Sequence, residues 1–193
     1  MRNLGAASLH QLDITSHASI AGFSQALASQ PVDLLLNIAG IMPPKASDTL
    51  ETVSLSTLTK TFETNTFGPL LLVQSILPNL LSPEARNPTI ANVSSRVGSI
   101  GDNSSGGAYA YRASKAALNA VSKSMAVDLR ERGVTVAIMH PGIVKSGLDP
   151  ASAELKEAVE PEVAVSGLWE VLKRIGLEDT GRFWNREGRE IEW

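Results

Sequence analysis

Tyr111 and Lys115 stand four residues apart in the stretch AYAYRASKAALNAV, residues 108–121. Four residues is about one helical turn, so if this alanine-rich run is a helix, the two side chains share a face and the ammonium lies close to the phenol. At about 4 Å and an effective dielectric near 20, a unit charge stabilises the phenolate by roughly 4 kcal/mol, or about 3 pK units from an ordinary value near 10. Such a phenol is expected to exchange protons near neutrality. A hydroxyl from a neighbouring strand end, Ser95 in TIANVSS, can then hold a substrate oxygen while Tyr111 gives or takes its proton. The same spacing also arises from a packing ring beside a surface amine. The pair therefore acquires meaning only from the elements that surround it.

The whole chain has 193 residues, 43% hydrophobic content and net charge −3, most simply one domain large enough to bury a core. It has no cysteine, which excludes disulfides, thiol catalysis and thiolate metal sites. Apolar runs such as GPLLLV fall far short of the ~20 residues that cross a bilayer, and no basic block points to nucleic acid. The opening MRNLGAASLHQLD lacks the apolar centre of a secretory signal. A chain starting near Met1, in the cytoplasm, is expected.

Short apolar runs alternate with longer segments of helical period, the rhythm of an α/β domain. Strands are predicted at 9–14 (LHQLDI), 32–40 (VDLLLNIAG), 89–95, 134–142 and 181–185, and helices at 17–29, 56–81, 109–131 and 162–176. The unbroken aliphatic centre of 32–40 suits a parallel strand covered on both faces. Pro69 predicts a kink in the long helix. In an open parallel sheet, NIAG, NVSS and HPG would all point toward one crevice outside the carboxyl ends of the strands. His10, His17 and His140 show no recurring ligand spacing and read as isolated histidines rather than a metal site. Asp102 and Asn103 fall in a glycine- and serine-rich loop.

NVSSRVGSIG, YRASKAALN, NTFG, LLNIAG and HPGIVKS occur in one order along the chain, and that order resembles the short-chain dehydrogenase/reductase family. The closing GLWEVLKRIG and GRFWNREGREIEW are similar to the small carbonyl reductases of its sniffer and C-factor branch. The resemblance implies a Rossmann-like, doubly wound parallel sheet and a homodimer formed through 56–81 and 109–131. It implies Tyr111 as acid/base, Lys115 as the residue that lowers its pKa and holds the nicotinamide ribose, and Ser95, with Ser94 as the lesser candidate, as the substrate-orienting serine. Asn65 would support a proton-relay water and Asp13 would sit beside adenine. Asn37, Ala39 and Gly40 would lie on the cofactor side, and Pro141, Gly142 and Ile143 would meet the nicotinamide amide unless they form only a strand-ending turn. The Ser95-to-Tyr111 loop is longer than the commonest family spacing.

Two departures shape the expected function. Ile38 stands where the family carries a second asparagine, and the sequence opens near the end of the family's second strand, without the TGxxxGxG turn. Losing two or three charge-assisted hydrogen bonds to a diphosphate, at about 1.5 to 3 kcal/mol each, weakens a dinucleotide by at least roughly a thousandfold. The expectation is therefore a truncated scaffold and a cofactor-independent isomerase, dehydratase or cyclisation catalyst acting on a small carbonyl, enol or phenolic substrate. One alternative is an NAD(P)H-dependent carbonyl reductase with atypical binding that uses Arg2 near a ribose phosphate. The other is a non-catalytic paralogue or regulatory subunit. The missing first strand would bare the edge of 32–40, so 9–14 is expected to move inward beside it, or a subunit contact to cover it.

Overall fold

Apolar runs with strand-length spacing form one sheet: β1 (Leu34–Asn37), β2 (Thr89–Val93), β3 (Thr135–His140) and the aromatic β4 (Phe183–Asn185), all parallel, in the order β1-β2-β3-β4. The computed structural model describes residues 5–193, with residues 152 and 153 described by backbone alone. Ile90 pairs with Val136 and Ala91 with Ala137. Because neighbouring strand residues face opposite ways, the two pairs build two cores.

On one face Ile90 and Val136 meet Ile20 of α1 (His17–Leu27), Leu72 and Ile76 of α3 (Gly68–Leu80), and Met125 and Leu129 of α4 (Tyr109–Arg130). On the other, the small Ala91 and Ala137 let Val171 of α5 (Pro161–Leu172) approach, with Leu34 and Trp184 packed around it. Helices on both faces of a parallel sheet are the expected doubly wound α/β arrangement.

The long helix expected over 56–81 exists in three parts. Ser54 caps α2 (Leu55–Phe62) by accepting from the Thr57 N–H, a π turn follows at Glu63–Phe67, and α3 begins directly after it. The wide turn resets the ladder so that Pro69, which has no N–H to donate, falls in the first turn of a new helix. The irregularity thus precedes the proline.

Residues 9–14 form no strand. Leu12 and Ile14 pack instead on the core beneath α1 and α3, and a Cβ on Gly68 would lie 2.6 Å from Ile14 Cγ1 and 2.7 Å from its carbonyl oxygen. That close approach anchors the segment over the start of α3, and Asp13 to Ser16 turn into the α1 cap. Inward pairing with β1 is therefore corrected. Among the described residues no strand covers the outer edge of β1, where Leu36 is 42% exposed and Ile38 66%.

Candidate active site

The first turn of α4 is held by a residue from far away in the chain. Asp48, buried, accepts from the Ala110 N–H at 2.6 Å and the Tyr111 N–H at 3.2 Å, and its carbonyl accepts from the Tyr109 N–H at 3.4 Å. A carboxylate on the open N–H groups of a helix satisfies donors that have no partner of their own and opposes the positive end of the dipole. Ala108, at φ 50°, turns the chain into that helix. Arg112 fixes the incoming loop, donating to the carbonyls of Val97, Gly106 and Gly107 and to Ser105 Oγ.

Tyr111 and Lys115 face inward together. The phenol is 7% exposed, with the Ser95 side chain beside its hydroxyl; Lys115 is 4% exposed, and its ammonium is 5.9 Å from the ring centre and donates to the Val93 carbonyl at 2.9 Å. Burial pushes the Lys115 ammonium down to about 8. Burial raises the Tyr111 pKa above the usual phenol value, against the opposing effect of the Ser95 hydroxyl. The acidification expected from Lys115 is thus corrected: burial of the ring, not the neighbouring ammonium, sets the direction, and Tyr111 remains a protonated acid at neutral pH.

The two serines divide. Ser94 Oγ donates to Asn119 Oδ1 at 2.6 Å and is committed to the scaffold, whereas Ser95, at the end of β2, faces Tyr111. Asn65, wholly buried in the π turn, accepts from the Ile41 N–H at 2.8 Å and donates to the Ile41 carbonyl at 2.9 Å and to Ser114 Oγ at 3.0 Å. It ties the chain after β1 to the middle of α4. Asn37 donates to Asn92 Oδ1 and Asn92 to Ser122 Oγ, both at 2.8 Å, so the amide link across the sheet persists although Ile38 is turned outward. Gly40 lies under Lys115, where a Cβ would meet the ammonium at 3.5 Å and Asn65 Oδ1 at 3.3 Å. Ala39 precedes it in the same loop.

Pro141, Gly142 and Ile143 follow β3. Gly142 has φ +81°, and a Cβ there would overlap the guanidinium of Arg186, which donates to the Pro141 carbonyl at 2.9 Å. His140, read from sequence as isolated, accepts through Nδ1 from the Arg96 N–H at 3.2 Å. Burial, helped by the Arg96 and Arg186 charges, lowers its pKa to about 4. Arg96 pairs with Asp102. Asp13 closes its own turn, accepting from Thr15 N at 2.9 Å and Thr15 Oγ1 at 2.7 Å. Arg2 lies outside the described residues.

The residues fit the ribose end of a nicotinamide cofactor: a buried ammonium with one acceptor for three N–H bonds faces a glycine whose missing side chain leaves room. Among the described residues no glycine-rich turn joins a strand to a helix ahead of β1.

The short chain dehydrogenase family model matches residues 2–157. C-signal of Myxococcus xanthus is 37% identical over 171 residues, covering 89% of this chain and 98% of that protein. The 1-hydroxy-2-glutathionyl-2-methyl-3-butene dehydrogenase of Rhodococcus sp. (strain AD45) is 34% identical over 184 residues, covering 94% of this chain and 78% of its own. The crystal structure of NADPH-bound carbonyl reductase from chicken fatty liver superposes with TM-score 0.86 and 32% identity, over 96% of this chain and 77% of that one. These relatives overturn the expectation of an enzyme without cofactor, since a dehydrogenase and an NADPH-bound reductase stand among them. The family model spans most of the sequence and a relative at 37% identity runs along nearly all of it, so the chain belongs to the short-chain dehydrogenase family.

Proposed function

We propose that the protein is an NAD(P)H-dependent oxidoreductase that reduces a small carbonyl compound. The observation that carries this reading is the buried Tyr111 phenol beside Ser95, one helical turn from a buried ammonium 5.9 Å from its ring centre, with burial keeping the phenol protonated. Carbonyl reduction needs a proton donor at the oxygen, and a phenol whose pKa is raised stays loaded at neutral pH. A cofactor-independent isomerisation would instead need a base at that position.

Lys115, with the loop of Asn37, Ala39 and Gly40 and the turn of Pro141, Gly142 and Ile143, would hold the nicotinamide-ribose end of the cofactor. When bound, that group supplies hydride to the carbonyl carbon. The hydroxyls of Ser95 and Tyr111 orient the substrate oxygen and strengthen their bonds as negative charge gathers on it. Tyr111 Oη then gives its proton to that oxygen, and the Lys115 ammonium stabilises the phenolate that remains. Asn65 keeps the loop after β1 and the middle of α4 in register, so that Gly40 and Lys115 stay opposed. Two copies of the chain are proposed to pair through α2–α3 and α4, which sedimentation equilibrium would show as twice the chain mass.

The test combines calorimetry with turnover. Purified protein should bind NADPH or NADH with measurable heat and convert an aromatic aldehyde to its alcohol with one nucleotide oxidised per alcohol. Aldehyde or hydroxyketone converted at the same rate without nucleotide would contradict the reading.

A further inference from the structure

A cavity of about 500 Å³ opens beside the carboxyl ends of β2 and β3, and the proposed chemistry uses none of its charged side chains. Its wall begins one residue beyond Ser95, at Arg96, and continues through His140 and the turn at Gly142 and Ile143 to the closing segment 185–192. Ser95 and Tyr111 do not line it. A substrate whose carbonyl meets those two hydroxyls would therefore place its tail, and not its reacting carbon, in this space.

The charges of the wall divide into matched and unmatched. Arg96 is taken by Asp102, and Arg186 by Glu187 at 2.8 Å and the Pro141 carbonyl at 2.9 Å. Glu190 has Arg182 at 4.0 Å. Arg189, Glu157 and Glu192 remain, and among the described residues their side chains form no ion pair and no hydrogen bond; Arg189 is tied through its backbone alone, its N–H donating to Asn185 Oδ1 at 2.8 Å and its carbonyl accepting from the Asn185 N–H at 2.9 Å. His140 adds a neutral donor, since its Nδ1 accepts from Arg96 and the ring proton is left on Nε2.

Tail chemistry follows from that inventory. All three residues are exposed, and an apolar tail laid against them would shed water from charges that it cannot pair. A tail of a single charge sign would answer either the guanidinium or the carboxylates and crowd the other. An ammonium and a carboxylate on one small head answer both.

We propose that this cavity selects carbonyl substrates whose tail is zwitterionic, an amino-acid or short-peptide head with its carboxylate toward Arg189 and its ammonium toward Glu157 and Glu192. The proposal rests on the reading of the Tyr111 site as a carbonyl reductase and names the class of substrate it takes.

Four aldehydes with the same reacting group separate the possibilities: benzaldehyde, para-carboxybenzaldehyde, para-(trimethylammoniomethyl)benzaldehyde and para-formylphenylalanine, each with NADPH. The expected result is a kcat/KM for para-formylphenylalanine about tenfold or more above the other three. In Arg189→Gln and in Glu157→Gln the ratio to benzaldehyde should fall toward one. Equal or better turnover of benzaldehyde, or a ratio unmoved by both variants, overturns the proposal. A reductase reading that is itself wrong shows differently, as no oxidation of NADPH with any of the four. For that case calorimetry with para-(hydroxymethyl)phenylalanine tests the cavity alone: binding weakened at least about fivefold by Arg189→Gln supports it, and no binding to the parent protein overturns it.

Discussion

At the scale of single residues, burial decides the electrostatics. Burial brings the Lys115 ammonium down to about 8, so the cation that the proposed reaction sets against the Tyr111 phenolate is present below that pH and lost above it. The kcat/KM for carbonyl reduction should fall as pH rises through about 8, and Lys115→Met should lose the limb together with most of the rate. A rate flat to pH 10 would contradict the assignment; that value is about the ordinary phenol pKa. His140 offers a separate check on stability. Its folded pKa of about 4 lies below the ordinary 6.5, so the unfolded chain binds the proton more readily between those values. Stability should be fully present above about pH 6.5 and decline as pH falls toward 4, by up to roughly 3 kcal/mol from this group. Denaturant midpoints at neutral and acid pH measure the decline, and His140→Gln should flatten it.

At the scale of elements, local spacing was readable and distant closure was not. Tyr111 and Lys115 announce themselves because one helical turn is written directly in the sequence, and β1 to β4 because short apolar runs, aliphatic in β1 to β3 and aromatic in β4, stand between turn residues. Asp48 left no such signal: its bonds to the first turn of α4 join residues 62 and 63 apart in the chain. The apolar alternation of 9–14 misled for the complementary reason, since Leu12 and Ile14 found their burial against helices and never needed a ladder. The direction of the Tyr111 shift was hidden as well, because desolvation depends on what packs over the ring. Removing the Asp48 carboxylate tests the closure. Asp48→Ala should cost about 3 kcal/mol, from two charge-assisted bonds at roughly 1.5 kcal/mol or more each, and should lower kcat more than it raises KM by loosening the turn that carries Tyr111. Asp48→Asn, which keeps an acceptor, should recover part of both; a thermal melt and a rate measured together would check it.

The molecule as a whole is a sheet with unequal covering. One face is closed by α1, α3 and α4, the other by α5, and Leu36 and Ile38 are left open at the β1 end. An exposed apolar strand edge recruits other strands. Ile38→Lys should change folding stability by no more than about 0.5 kcal/mol, as expected for an exposed position, and reduce light scattering on concentration. Scattering that does not change would mean that the edge is already covered in solution. No helix among the described residues is long and apolar enough to cross a membrane. The expectation of an enzyme without cofactor came from the absence of a glycine-rich turn in the opening residues, and the dehydrogenase and NADPH-bound reductase among the relatives overturn it.

The most direct measurement follows the hydrogen itself. Reduction of an aldehyde with NADPH carrying deuterium at the transferable position should yield an alcohol with one deuterium on its carbinol carbon, and Tyr111→Phe should form that product at least about a hundredfold more slowly. Alcohol without the label, or undiminished turnover in the variant, would contradict the account.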